Sequence, residues 1–446
     1  MLGLVVALLA LAAVGLGACS GLGGHDEAGA EERGLPSRNG ELALVYGEDN
    51  DGAVLVRIDP QSLRLVDRRR LDLGRVHGFP TFSPDGRLLA FTDVYSYGEV
   101  QVVDVGRLRS VARLDIGEES VRDPVGPLGW LDDQLLAVVE DGRLGDLVIT
   151  PVDPFRGSVD EAGRIRGPAW VLQSARSARH LVLLLGRPTR GVFRATDLAV
   201  ADGEGRVRTA TLTGIPSGLV EDGPVSRSAD PALAVDPEGE RAFVVGAGAL
   251  VAELDLETME VRYHELARPV SLLGRLLDWL EPEAVAKGPT EGVSRKAVWL
   301  GNDLLAVTGS DTHVSVGAGE QVEERIVPAG LSLIDTKRWS VRLLDERVDE
   351  LALASDALLA WTFPEESVTR RLRESGLTVY ELDGRERMRL FEGESIWDLQ
   401  AVGRLAYVGV GHWSALHVVD LETGRVVRRL EREAWPQVLT RRTDEP

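Results

Sequence analysis

The sequence predicts an all-β fold, a β-propeller of four-stranded blades, and two observations carry that expectation. Eight short apolar runs each end in an aspartate: "VRID" at Asp59, "QVVD" at Asp104, "TPVD" at Asp153, "AVAD" at Asp202, "AELD" at Asp255, "SLID" at Asp335, "YELD" at Asp383 and "HVVD" at Asp420. Most of their intervals fall between 45 and 53 residues, and a period of about 40 to 50 residues that holds several short strands is that of a propeller blade. Between these points the chain is a succession of short apolar and β-branched runs bounded by Gly, Pro, Asp and Asn, which are strand and hairpin signals. The aspartates have a local reason to recur: a carboxylate at a strand end accepts a backbone N–H two residues on and closes an Asx turn.

Each unit reads as strands A to D. In the second, "PTFS" leads through the turn Ser83-Pro84-Asp85-Gly86 to "RLLAFTD", "EVQVVDV" and "SVARLDI". The same order returns around Asp236-Pro237-Glu238-Gly239 and again near the end as "GRLAYVGV", "LHVVDL" and "RVVRRLE". The first unit opens at "ELALVYG" without a strand A, and an unassigned "WPQVLT" follows the last unit. Pairing the two closes the ring and leaves no free sheet edge. The count is eight blades, or seven if the weak third and fourth units merge. The 49 glycines suit many tight turns. Trp130, Trp299 and Phe82 precede A–B turns and are expected in the core between blades.

Residues 1–40 are a separate object. Leu2 to Gly17 form an apolar stretch too short for a comfortable membrane span. It ends in Leu16-Gly17-Ala18-Cys19, which resembles a bacterial lipoprotein signal peptide with its lipobox. That resemblance implies a signal peptide over 1–18, a lipidated Cys19 and a mature protein outside the cytoplasm. Cys19 is the only cysteine, so no disulfide or thiolate metal site is available. Residues 19–40, rich in Gly, Ala and Glu, read as a flexible tether, and 41–440 as a single propeller domain.

The net charge of -21 is spread without a basic stripe, and only Lys287, Lys296 and Lys337 are lysines. Nucleic acid is therefore not an expected partner, and the body has no charge-driven attraction to anionic lipid. No nucleophile elbow, Ser-x-x-Lys or phosphate-binding Gly-Lys loop is present. Histidines are scattered, and His412 and His417 fall on opposite sides of an apparent strand. No catalytic residue, metal site or cofactor is assigned.

Loop lengths carry the functional expectation. The A–B and most C–D turns are tight, whereas the long segments all lie in B–C or D–A connections, which share the other face of a propeller. Examples are "DVYSYG", "GRPTRGVFRA", "GSDTHVSVGAGEQVEERIVP", "TFPEESVTRRLRESG", "GVGHWSA" and "GIPSGLVEDGPVSRSADP". Loops on a rigid scaffold are where binding residues usually reside. Tyr95, Tyr97, Arg190, His313, His412 and Trp413 are the candidates on that face, chosen because Tyr, Trp and Arg dominate binding hot spots.

The insertion at 267–293 holds the one predicted helix. Ser271 caps it, Leu272, Leu273, Leu276, Leu277 and Leu280 fall on one face, and Pro282 ends it. The stripe, with Leu272, Leu276, Trp279 and Leu280 as candidate contacts, is expected to pack on the propeller rim, a partner protein or the membrane surface.

"FSPDGRLLAFTD" and "VDPEGERAFVVG" resemble YVTN-type and WD-repeat-like propellers, and "VVDLETGRVVRR" is similar to the repeat of quinoprotein-like propellers. Trp-Asp dipeptides are absent from the strand C ends, and so is the tryptophan that follows the Thr-Gly step of quinoprotein repeats. An exported, lipid-anchored propeller also looks like the lipoprotein scaffolds that assist assembly of envelope proteins, which implies a protein or peptide partner and no catalysis. The alternative is a propeller hydrolase, lactonase or dehydrogenase with carboxylates and histidines gathered at the central channel.

Overall fold

The computed structural model describes residues 41–46, 53–74, 80–92, 99–116, 127–131, 133–141, 145–159, 162–187, 194–222, 225–236, 238–246, 250–266, 290–316, 322–364, 376–411, 415–431 and 437–439. Among these every regular element is a strand. The predicted helix lies outside the described residues, as do the signal peptide, Cys19 and the tether.

The strands assemble as antiparallel up-and-down units. The second unit runs Thr81–Phe82, Leu88–Thr92, Glu99–Asp104 and Arg109–Asp115. The fifth runs Ala232–Val235, Arg241–Val245, Leu250–Asp255 and Val261–Glu265. The seventh runs Glu350–Leu353, Ala357–Trp361, Leu377–Glu381 and Glu386–Leu390, and Ile396–Val402 opens the last. In the first unit the innermost place is filled from the other end of the chain. Gln437–Leu439 pairs with Glu41–Tyr46 in the register Leu42↔Leu439, Ala43↔Val438 and Leu44↔Gln437, so the terminal strands close the ring as the unpaired "WPQVLT" leads one to expect.

Eight separate blades are not what forms. Six sheets of four or five strands stand alone, and the remaining strands make one ten-stranded sheet. The third and fourth units do not merge. The fourth and sixth are joined instead, because the two connections that read as long loops continue as strands. Val207–Asp222 pairs with Arg194–Ala201 of its own unit through Leu212, breaks register, then turns back as a hairpin with Val225–Asp230. That strand pairs in parallel with the start of Thr290–Gly301, with Ser228↔Gly292 and Asp230↔Ser294. In the sixth unit Leu304–Val316 overshoots its neighbour Leu331–Asp335 and pairs with Val322–Pro328. The overshoot starts at Gly309, whose φ of 143° only glycine adopts comfortably and where a Cβ would collide with the Ser294 carbonyl.

The buried apolar side chains lie between consecutive units. Leu55, Leu89 and Phe91 fill the space between the first two, and Trp130 packs with Val100 and Leu135 between the second and third. Phe82 and Trp299 pack against such clusters from partly buried positions. Tyr407 and Val418 of the last unit meet Ala43 and Val56 of the first. Each fully buried Leu, Val or Phe contributes about 1.5–3 kcal/mol, and sheets stacked face to face spread that burial around the whole ring.

The eight aspartates do what a strand-end carboxylate can do. Asp153 Oδ1 accepts N–H bonds from Phe155 at 2.9 Å and Arg156 at 3.0 Å. Asp255 takes Glu257 and Thr258, Asp335 takes Lys337 and Arg338, and Asp420 takes Glu422 and Thr423. Asp59, Asp104, Asp202 and Asp383 close the remaining turns on Ser62, Arg107, Glu204 and Arg385. The backbone N–H of Arg156 holds the Asp153 carboxyl below its ordinary range, and that of Thr258 does so for Asp255.

Candidate binding face

Strands alternate in direction, so A–B and C–D turns share one end of the ring and B–C and D–A connections share the other. The tight-turn end is bridged near the axis. Arg176, at the end of strand A of the fourth unit, reaches strand A of the second. Its Nη1 donates to Thr81 Oγ1 at 3.3 Å and to the Phe82 carbonyl at 3.1 Å. Between them Trp130 Nε1 donates to the Thr81 carbonyl at 3.1 Å.

The opposite end collects acids at the starts of innermost strands. Asp230 stands just before Ala232–Val235, Asp349 just before Glu350–Leu353, and Asp398 near the start of Ile396–Val402. Burial raises the carboxyl of each above its ordinary range, and that of Asp349 to about 7. The Phe363 N–H and Lys296 oppose the rise at Asp349, while Glu350 adds to it. Lys296, on strand A of the sixth unit, forms an ion pair with Glu350 and so joins neighbouring units. The preceding residue, Arg295, is 5% exposed. It donates to the carbonyls of Ser294 at 2.9 Å and Ser310 at 3.0 Å and to Asp311 Oδ1 at 2.6 Å. This guanidinium locks the base of the overshooting hairpin.

Two aromatic rings stand open at this end. Trp170, first residue of strand A in the fourth unit, is 36% exposed. A Cβ on Gly186 or Gly218 would come within 2.6 Å or 2.8 Å of its indole, so both glycines are required for the ring to lie where it does. Phe363, just past Ala357–Trp361, is 42% exposed and meets Trp397 edge-on at 5.8 Å. An aromatic ring held open beside a rigid strand end offers large contact area at small entropic cost.

Of the candidates read from the sequence, Tyr95, Tyr97, Arg190, His412 and Trp413 lie outside the described residues, as do Leu272, Leu276, Trp279 and Leu280. The backbone of His313 sits in the overshooting hairpin opposite Thr290 and Arg325. Trp170, Asp230, Phe363 and Asp398 are the residues that loop reasoning missed. Their signal was position: each stands at or beside the end of a strand that opens toward the long-connection face.

Among the described residues no group of three His, Cys, Asp or Glu is placed to hold a metal ion. A cavity of about 60 Å³ lies between the fifth and sixth units, lined by Val245, Leu266, Arg295, Val307, Thr308 and Ser332, which is room for water rather than for a ligand.

No family model matches the chain, and no curated protein matches it in sequence. Solved structures do. Dihydro-heme d1 dehydrogenase NirN, in complex with DHE, is 17% identical with a TM-score of 0.54, the match covering 90% of this chain and 77% of that one. Apo AztD from Citrobacter koseri is 12% identical with a TM-score of 0.50, covering 90% and 97%. The chain is a β-propeller. At these identities the likeness carries the fold alone.

Proposed function

We propose that this protein is a lipid-anchored, extracytoplasmic propeller that binds a protein or peptide partner through its long-connection face, without catalysis. The observation that supports the reading most is the contrast between the two ends. One end is closed by eight Asx turns and bridged at the axis by Arg176. The other carries the joining hairpins, the open rings of Trp170 and Phe363, and the half-buried acids. Exposed aromatic rings, with no convergent catalytic constellation among the described residues, suit a binding module. In this reading the insertion at 267–293 belongs to the same face. Lipidation at Cys19 supplies the anchor, with each buried methylene worth ~0.8 kcal/mol.

One observation favours the enzyme alternative: Asp349, with its carboxyl raised to about 7, is poised for proton transfer near neutral pH. Its listener among the described residues is a backbone amide rather than a second reacting group, and the binding reading stands ahead.

The test has two arms. Palmitate labelling and membrane fractionation of wild type and Cys19→Ala should show label and membrane retention lost together in the variant. Isolation from crosslinked membranes should recover a defined partner with wild type and lose it with Trp170→Ala/Phe363→Ala, both proteins remaining folded by circular dichroism. Label absent from wild type overturns the anchor. A partner kept by the double variant overturns the assignment of the face.

A further inference from the structure

The D–A connection that enters the seventh unit and the B–C segment that leaves its second strand are fastened side by side. Three bonds join them. Asp349 N–H donates to the Trp361 carbonyl at 3.2 Å. Phe363 N–H donates to Asp349 Oδ1 at 2.8 Å. Thr362 Oγ1 donates to the Arg347 carbonyl. The first and third join neutral groups. The second ends on a carboxylate, and it is the bond that sets the stretch carrying the exposed Phe363 ring against Trp397.

We propose that Asp349 is a proton-operated clasp, gripping the Phe363 amide when ionised and loosening it when protonated, and thereby setting the position of an open aromatic ring on the long-connection face. The chemistry follows from the acceptor. A bond to an ionised oxygen is about twice as strong as one between neutral groups, and a protonated carboxyl keeps only its weaker carbonyl acceptor while its own O–H needs a partner. The surroundings place the change within reach of physiological pH. Burial and the neighbouring Glu350 favour the neutral acid, while Lys296 on the adjoining strand A and the Phe363 N–H favour the anion. Glu350 and Lys296 are the charged groups acting on Asp349 from its own strand and from the strand packed beside it. Lys296 is itself paired with Glu350, and the guanidinium of Arg347 is held by Asp345.

The clasp is read directly at the amide. The chain has eight phenylalanines, so ¹⁵N-Phe labelling of the full-length protein in detergent gives a small set of backbone signals, with Phe363 assigned by Phe363→Leu. Its amide proton should move downfield as pH rises through about 7 and should stay flat in Asp349→Asn. Two further variants test the sign without removing the carboxyl: Lys296→Met should move the midpoint up and Glu350→Gln should move it down. A Phe363 amide that does not titrate in wild type overturns the proposal. So does a titration that persists in Asp349→Asn, or midpoints that move opposite to these signs. A purely structural Asp349 predicts none of the pH dependence.

Discussion

Arg241 shows how much one side chain can tie together. Its guanidinium reaches Asp236 at 3.4 Å and Glu253 at 3.6 Å in its own unit and Asp303 at 3.1 Å in the next. It also lies 5.4 Å from the ring centres of Phe243 and Trp299, themselves stacked at 5.2 Å. Removing it takes the shared cation from three carboxylates at this seam, although Asp303 keeps Lys337 and Glu253 keeps His264, so Arg241→Ala should lower the unfolding free energy by about 2 kcal/mol in urea titrations. Asp349 sets a pH dependence of definite sign. Its carboxyl is lifted from 3.8 to about 7 in the folded state, so the folded chain keeps a proton that the unfolded chain releases. The stability this contributes is complete below about pH 4 and is lost as pH rises through 7. Asp349→Asn should therefore be about 4 kcal/mol more stable than wild type at pH 8 and no more stable at pH 4, measured by urea unfolding at both values. The turn aspartates were legible because their partners lie two or three residues away. Arg241, Asp230, Asp349 and Asp398 were not, since their burial, and partners such as Asp303 for Arg241 and the Phe363 N–H for Asp349, come from stretches of chain distant in sequence.

At the level of elements, local signals named the strands and failed at the connections. Segments 207–230 and 304–328 were read as ending in long loops because Gly, Pro, Ser and Asp dominate their middles. They fold as hairpins because Val, Thr and Ile alternate on either side of those breakers, as in "THVSV" and "VEERIVP". What joins them is a parallel pairing between Ser228–Asp230 and Gly292–Ser294, a long-range contact that no local pattern announces. Gly309 is the pivot, and Gly309→Ala should cost about 3 kcal/mol, from the strained φ and the clash with Ser294. Thermal unfolding followed by circular dichroism checks this; an unchanged midpoint would show that the hairpin can leave the sheet freely.

The whole molecule is a ring held shut by three residues from its far end. The repeat made that closure legible, because a first unit missing strand A and a surplus apolar strand at the other end complete each other. Cutting the chain after Glu431 removes Gln437–Leu439 and bares the edge of Glu41–Tyr46. Such a truncation should lower the thermal midpoint by about 5 °C and promote concentration-dependent association, seen by light scattering. The blade count was less legible, because the fused sheet arises from those same long-range pairings. The asymmetry between the two ends remains the central claim, and it is open to direct test in living cells. A photoreactive phenylalanine analogue at position 363, on the long-connection face, is compared with one at position 155, a C–D turn residue that is 75% exposed at the other end. Light-dependent adducts to one partner from 363 and none from 155 are the result this account predicts. Adducts from 155 alone, or equal and diffuse labelling from both, would contradict it.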